Sequence, residues 1–199
     1  MKFHHYQTIA VTLFIVCLSR YASSAEIDKQ TRFAMPTFPA VSGNVCSPTN
    51  LAITRAPDNS AVSLLFNSPF LQASNGSKSS AHATCQLNLP FEGGARTNSI
   101  IQLDIRGQDI KERDAELSYE IIIGRQHHRF QYASGRILEP DSSAGLKRFQ
   151  VALPRGAQKI SVTIRGVALS LDGHSVARAE FDSIDVCAFN PDKQSTCGQ

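Results

Sequence analysis

The chain has 199 residues, and its 20 Lys+Arg against 17 Asp+Glu give a formal net charge of +3 at pH 7. Hydrophobic residues make up 42% and charged residues 19%, which excludes disordered, collagen-like and coiled-coil chains and favours a globular protein. So small a net charge does not indicate nucleic acid or an anionic membrane as a partner. The length is that of one domain or two small ones.

The first 25 residues have the features of a secretory signal peptide. Lys2 gives a positive start, residues 9–18 form an apolar run, and Ala22-Ser23-Ser24-Ala25 places small residues before the expected cleavage site. The apolar run is about ten residues long, whereas about 20 are needed to span a bilayer. We therefore expect cleavage after Ala25, a secreted or periplasmic protein, and no integral membrane segment. Cleavage would remove two basic residues and lower the net charge from +3 to +1.

Cleavage would also leave an even number of cysteines, which in an exported chain indicates disulfides. The four are Cys46, Cys85, Cys187 and Cys197. They allow three pairings, of which the order along the chain favours Cys46–Cys85 and Cys187–Cys197. The spacing typical of metal sites, such as CxxC, is absent. Neither a metal nor a cofactor is therefore expected.

The pattern of apolar and polar residues indicates β-strands throughout residues 46–190. The strand-like segments, separated by turn signals, are 51–54, 61–66, 84–89, 100–105, 117–123, 129–132, 149–153, 160–164 and 179–189. Alternation predicts one buried and one solvated face, as in antiparallel sheets. We predict an all-β domain, an antiparallel two-sheet β-sandwich of jelly-roll type with eight to ten strands, stapled by disulfides. A flexible leader (26–45) precedes it and a C-terminal tail (191–199) follows.

Several motifs occur in an order that resembles a known family. They are Gly43-Asn44-Val45-Cys46, a turn at 57–60 before an apolar strand, the cysteine strand 80–89, Leu103-Asp104-Ile105-Arg106-Gly107 and Phe181-Asp182-Ser183-Ile184-Asp185. Over about residues 40–190 this order resembles the small secreted proteins of the domain of unknown function numbered 4360. The resemblance implies secretion and a β-rich fold but no activity. Where that family usually has a Pro-Cys-Gly turn this chain has Pro154-Arg155-Gly156, which leaves the partner of Cys187 open.

The C-terminal third has a second resemblance. Residues 153–157, 160–164 and 181–186 are similar to the last strands of galactose-binding-like jelly rolls. That resemblance implies a carbohydrate ligand. The tripeptide Ile-Arg-Gly occurs twice, at 105–107 and 164–166, which is too short a match to indicate an internal repeat.

The stretch Arg-Gln-His-His-Arg-Phe-Gln-Tyr at 125–132 is the most distinctive polar segment. In a strand, His127, Arg129 and Gln131 share one face, and His128, Phe130 and Tyr132 share the other. The guanidinium of Arg129 could hold an anion or an acidic sugar, and Tyr132 could offer a stacking face. The candidate ligand-binding residues are Arg125, His127, Arg129 and Tyr132. The alternative is a solvated strand face backed by Phe130 and Tyr132 in the core.

Other polar residues give weaker indications. Asp182 and Asp185 are three residues apart, so they would share a face and bind calcium only if the strand were bulged. Asp172 before Gly173 is typical of a turn cap. Gly-His-Ser-Val-Ala at 173–177 approaches a nucleophile elbow, but its last position is not glycine and a strand pattern follows where a helix is required.

These features favour a non-enzymatic, exported binding or surface-associated module whose ligand is a glycan or a protein at the cell surface or outside the cell. One alternative is a secreted hydrolase whose residues meet only in the fold, in a deep pocket at His127 or His174. Another is a structural component of an envelope or extracellular assembly.

Overall fold

The computed structural model describes residues 31–34, 40–47, 49–73, 80–138 and 145–191. Eleven strands and no helix occur among these residues. They are β1 (Ala40–Ser42), β2 (Leu51–Arg55), β3 (Ala61–Phe66), β4 (Leu71–Ala73), β5 (Ser80–Pro90), β6 (Ile100–Lys111), β7 (Ala115–Ile123), β8 (Gln126–Tyr132), β9 (Lys147–Ala152), β10 (Lys159–Ser170) and β11 (Ala177–Phe189). Within the described ranges, therefore, no helix is long and apolar enough to cross a membrane.

The strands form two antiparallel sheets. The five-stranded sheet has the order β1-β5-β10-β7-β8, and the six-stranded sheet has the order β2-β3-β11-β6-β9 with β4 also paired to β11. The predicted antiparallel two-sheet sandwich is confirmed. The short strands β1 and β4 were not predicted, because three residues are too few to show an alternating pattern.

The core lies between the sheets and is built by alternation along each strand. In β10, Ile160, Val162 and Ile164 are buried, and their neighbours point outward. Phe181 of β11 stacks on Phe70 with ring centroids 4.7 Å apart. Fully burying an aliphatic or aromatic side chain of this size contributes about 1.5–3 kcal/mol, so these layers supply most of the stabilisation.

The described part of residues 26–45 belongs to the sandwich, whereas the sequence predicts a flexible leader there. Phe33 is fully buried and stacks on Phe91 with centroids 5.6 Å apart. Its backbone N–H donates to the carbonyl of Asn59 over 2.9 Å. A single aromatic residue in a polar stretch produces no periodicity, which is why the pattern did not show this contact.

The segment after β1 is fitted closely to β5. Gly43 has a φ of +124°, and a Cβ there would lie 2.0 Å from the carbonyl oxygen of Thr84, so only glycine fits. The Asn44 side chain then continues the pairing, because its Nδ2 donates to the carbonyl of His82 and its Oδ1 accepts from the N–H of Thr84, each over 2.7 Å.

The close packing of this segment on β5 places Cys46 next to Cys85, and the two form a disulfide with Cα atoms 5.1 Å apart. The predicted Cys46–Cys85 pairing is confirmed. On the loop-entropy model a bridge of this span contributes about 4 kcal/mol. Cys187 is also disulfide-bonded. Its predicted partner, Cys197, lies outside the described residues, as does the predicted signal peptide, so both stay predictions.

Candidate functional site

A row of charged side chains crosses the outer surface of the five-stranded sheet. Arg165 of β10 is the direct cross-strand neighbour of Glu120 of β7, and Glu120 is the direct neighbour of Arg129 of β8. The alternation that buries Ile164 and Ile121 turns these three residues outward. We call Arg165, Glu120, Arg129 and His127 the basic face.

The carboxylate of Glu120 organises the basic face. Its Oε2 accepts hydrogen bonds from Nε (2.9 Å) and NH2 (2.6 Å) of Arg165. Its Oε1 accepts from Arg129 Nε over 2.9 Å and hydrogen-bonds with His127 Nδ1 over 3.0 Å. Hydrogen bonds from His127, Arg129 and Arg165 lower the pKa of Glu120 to about 2. Glu120 is therefore an ionised anchor for its neighbours, and not a proton donor.

The cations around Glu120 reach into solvent. The Glu120 side chain is 10% exposed, whereas those of Arg129 and Arg165 are 70% and 59% exposed. Arg129 contacts Glu120 through Nε, and Arg165 through Nε and NH2, so terminal N–H groups of both point away from the carboxylate. Two guanidinium groups against one carboxylate leave a net charge of +1. The face is thus suited to a carboxylate, sulfate or phosphate group.

An open depression of about 430 Å³ lies on this face. Arg129, Arg165 and the carboxylate of Glu120 between them border it, and further polar lining comes from His82, Thr84, Ser118 and Gln131. The depression extends over β5, β10, β7 and β8, so it is long enough for an extended ligand that crosses the strands.

The structure brings together only part of the predicted set. His127 and Arg129 both contact Glu120, and Gln131 lines the depression beside them. Arg125 lies in the turn between β7 and β8. Tyr132 points to the opposite side of β8, between the sheets, so it offers no stacking face on the basic face.

Sequence reasoning missed Glu120 and Arg165. A single glutamate in the otherwise apolar end of β7 was the available signal, since a charge there is retained only if it is paired. The match of 164–166 to 105–107 is too short to indicate a repeat, and nothing in that tripeptide marks Arg165 as a site residue. Their pairing depends on the register of β7 with β10, which neither strand encodes alone.

A second polar cluster joins the two sheets on the side where β8 and β9 lie. Oδ2 of Asp109 accepts hydrogen bonds from Tyr119 (2.7 Å) and Tyr132 (3.0 Å) and lies 3.2 Å from Nζ of Lys147. The ammonium group also lies 5.8 Å from the ring centroid of Tyr119. Burial and the charge of Asp109 raise the pKa of Tyr132 to about 12 and that of Tyr119 further. The cluster links four strands and has a structural role.

The segment at 172–175 is a capped turn. Oδ1 of Asp172 accepts from the N–H groups of His174 (2.9 Å) and Ser175 (2.7 Å), and its Oδ2 accepts from Ser175 Oγ over 2.9 Å. The predicted turn cap by Asp172 is confirmed, and these bonds hold its pKa well below the usual range. Strand β11 follows directly, so the strand–turn–helix setting of a nucleophile elbow is absent from this described segment.

The described residues contain no group of three or more His, Cys, Asp and Glu side chains that could hold a metal ion. The bulge that calcium binding at Asp182 and Asp185 would require is present, because the register of β11 with β6 shifts between Phe181 and Ser183. Asp185 instead pairs with Arg106, at 3.6 Å.

No family model matches the chain and no curated protein matches it, so the resemblance to the domain of unknown function numbered 4360 stays a prediction. Among solved structures the chain is similar to TmCBM61 in complex with beta-1,4-galactotriose, with 11% identity, a TM-score of 0.31, and coverage of 76% of this chain and 87% of that one. It is also similar to a cyclase from Fischerella sp. TAU in complex with 4-(1H-indol-3-yl)butan-2-one, with 13% identity, a TM-score of 0.28, and coverage of 84% and 92%.

A third similar structure is the exo-beta-1,3-galactanase from Phanerochaete chrysosporium, with 11% identity, a TM-score of 0.26, and coverage of 75% of this chain and 29% of that one. Likenesses with such low scores assign neither a family nor a ligand. The chain's own fold and site define a disulfide-containing antiparallel β-sandwich with a basic outer face.

Proposed function

We propose that this protein is an exported, non-enzymatic binding module that holds an acidic polysaccharide on its basic face. The observation that carries the proposal is the single buried carboxylate of Glu120, which fixes Arg129 and Arg165 on either side of it with terminal N–H groups directed to solvent. An open depression of about 430 Å³ across four strands suits a chain-like ligand better than a small enclosed one.

Preorganisation explains why Glu120 belongs in a site for anions. Two neighbouring guanidinium groups repel each other, and each free arginine side chain would lose rotamer entropy on binding, at about 0.5–1.5 kcal/mol. Glu120 offsets the repulsion and fixes both side chains before the ligand arrives. Because one carboxylate faces two guanidinium groups, the net charge still attracts an anion.

Two features support an exported location for this protein, the signal-peptide pattern of the sequence and the disulfide. The Cys46–Cys85 bond is typical of an oxidising compartment, the periplasm or the medium. Acidic polysaccharides occur at cell surfaces and outside cells, where such a module would meet them.

Affinity electrophoresis tests the proposal. Gels containing polygalacturonate, dextran sulfate or neutral dextran should retard the protein only when the polymer is acidic, and R129Q/R165Q should lose at least tenfold in affinity. The matched control is R155Q/K159Q, which removes two exposed cations outside the depression and should bind normally. Equal retardation by neutral dextran, or equal binding by both double variants, would overturn the proposal.

The non-enzymatic part of the proposal has its own test. His127 lies on an open face beside a carboxylate that is held ionised, and its Nδ1 hydrogen-bonds with that carboxylate, Glu120, where a hydrolase would need a hydroxyl nucleophile. Incubation with polygalacturonate should release no new reducing ends. A release that R129Q/R165Q abolishes would favour the hydrolase alternative.

A further inference from the structure

The repeated Ile-Arg-Gly tripeptide places one arginine on each outer surface of the sandwich. Ile105 of β6 and Ile164 of β10 are both buried, so the following residues, Arg106 and Arg165, point outward from opposite sheets. Arg165 pairs with Glu120, and Nε of Arg106 lies 3.6 Å from Oδ2 of Asp185. The outer surface of the six-stranded sheet therefore resembles the basic face in having an outward arginine paired with a carboxylate.

A second anchoring carboxylate strengthens this relation. Asp104 of β6 is the direct cross-strand partner of Arg148 of edge strand β9, as Glu120 is of Arg129 of edge strand β8. Arg148 donates from Nε to Oδ1 (2.8 Å) and from NH2 to Oδ2 (2.7 Å), the bidentate geometry of a strong ion pair. The Asp104 side chain is only 6% exposed, whereas that of Arg148 is 49% exposed.

Two amide side chains extend the array. Nε2 of Gln102 donates to Oδ2 of Asp104 over 3.2 Å, and Nε2 of Gln150 donates to Oε1 of Gln102 over 3.1 Å. Gln102 is 5% exposed although it lies on an outward position of β6. Planar groups with both donors and acceptors are thus fixed across β9 and β6. We call Gln102, Asp104, Arg106, Arg148, Gln150 and Asp185 the neutral face.

A depression of about 380 Å³ lies over part of this array and is lined by Gln102, Asp104 and Arg106, while Arg148 and Gln150 lie outside its lining. The bulge between Phe181 and Ser183 turns Ser183 and Asp185 outward into its lining, where Ser183 Oγ donates to Asp185 Oδ2 over 3.1 Å. The lining also has apolar residues, Ala61, Val186 and Leu65, of which Leu65 is 43% exposed.

The charge of this surface identifies the class of ligand. Arg106 and Arg148 are balanced by Asp104 and Asp185, so the net charge is zero, in contrast to +1 on the basic face. A charged group would gain no net attraction here and would compete with existing ion pairs. Hydroxyl groups can donate to the carboxylates and accept from the guanidinium and amide groups, and Leu65 suits the C–H surface of a sugar ring.

We infer that the neutral face is a second binding site, for an uncharged, hydroxyl-rich oligosaccharide. The two sites lie on the outer surfaces of opposite sheets, so one molecule could hold two polysaccharide chains at once and gain avidity from both. The second site stands on its own contacts, and only its bivalent use rests on the proposed function.

Calorimetric titration with neutral oligosaccharides of glucose, galactose, mannose and xylose, next to oligogalacturonate, tests the inference. At least one neutral probe should bind, and R106Q/R148Q should weaken it at least tenfold while R129Q/R165Q leaves it unchanged. Binding of oligogalacturonate should be weakened by R129Q/R165Q and unchanged by R106Q/R148Q. Both double variants alter exposed arginines, and a thermal melt confirms that each is folded.

Different binding results would contradict the neutral face and the basic face. Binding of no neutral probe at millimolar concentration, or equal losses in both double variants, would overturn the neutral face and leave oligogalacturonate binding intact. Binding of a neutral probe with no binding of oligogalacturonate would support the neutral face and contradict the basic one. If R106Q/R148Q does not fold, Q102L provides a second test. It removes the central amide of the array and should also weaken binding of the neutral probe.

Discussion

Arg165 donates two hydrogen bonds to one carboxylate oxygen of Glu120, from Nε over 2.9 Å and from NH2 over 2.6 Å. The pair joins β10 to β7 on the outer surface, and the other oxygen of Glu120 holds Arg129 of β8. One carboxylate therefore fixes cations from two different strands. The binding proposal depends on this arrangement, because the arginines are ordered before any ligand binds.

The first prediction concerns the anchor itself. E120Q removes the charge that holds Arg129 and Arg165, so both side chains must be ordered by the ligand. We expect affinity for polygalacturonate to fall about three- to tenfold, although the net charge of the face rises. The affinity of E120Q should also fall more steeply with salt than that of the native protein, as measured by titration at several salt concentrations. Unchanged or tighter binding at moderate salt would show that the arginines need no anchor.

The second prediction concerns stability in acid. The pKa of Glu120 in the folded protein is about 2, below its ordinary value of 4.5, so its contribution to stability is present above pH 4.5 and is lost as the pH falls toward 2. The difference in melting temperature between the native protein and E120Q should be largest near neutral pH and shrink toward pH 2. A difference that is constant with pH would contradict this assignment.

The third prediction concerns the tyrosines. The pKa of Tyr132 is raised to about 12 and that of Tyr119 further, so their contribution to stability is present below about pH 10 and is lost as the pH rises through 12. Tyr119 and Tyr132 are the two tyrosines that follow the expected cleavage site, and both should ionise late in a spectrophotometric titration. Y132F should remove the step near pH 12. Ionisation of all tyrosines near pH 10 in the folded protein would contradict the structure.

The fourth prediction concerns the ion pair between the sheets. The side chains of Lys147 and Asp109 are only 17% and 8% exposed, and removing one partner leaves the other charge buried and unpaired. K147M should destabilise the protein by about 3 kcal/mol in urea unfolding. The matched control, K159M at an exposed position of β10, should change stability by less than about 0.5 kcal/mol. If D109N/K147M is no more stable than K147M, the two charges are not coupled.

The fifth prediction concerns the disulfides. Peptide mapping without reduction should recover Cys46 linked to Cys85, and Cys187 linked to Cys197. Removing the first bridge with C46S/C85S should cost about 2–5 kcal/mol of stability, because it closes a loop with a sequence separation of 39 residues. Cys187 linked to Cys46 would rule out the proposed pairing.

The alternation of apolar and polar residues along the sequence predicted most of the strands. The alternation of Ile160, Val162 and Ile164 correctly predicted a strand with one buried face, and the period of two correctly placed His127 with Arg129. Phe33 was missed, because the burial of one aromatic residue against Phe91 leaves no periodic trace in the chain.

The candidate site was only half visible in the sequence. Glu120 and Arg165 are separated by 45 residues and meet only through the register of two antiparallel strands. The direction of Tyr132 was predictable from alternation, but its partner was not. Asp109 reaches it from the other sheet, and contacts between sheets depend on how the sheets pack and not on either strand's pattern.

Mapping of backbone amide shifts on addition of oligogalacturonate tests the central claim most directly. The account predicts that the shifted residues cluster around Ser118, Glu120, Arg129 and Arg165, and that R129Q/R165Q abolishes the shifts while R155Q/K159Q keeps them. Shifts confined to any other surface, or equal shifts in both double variants, would contradict it.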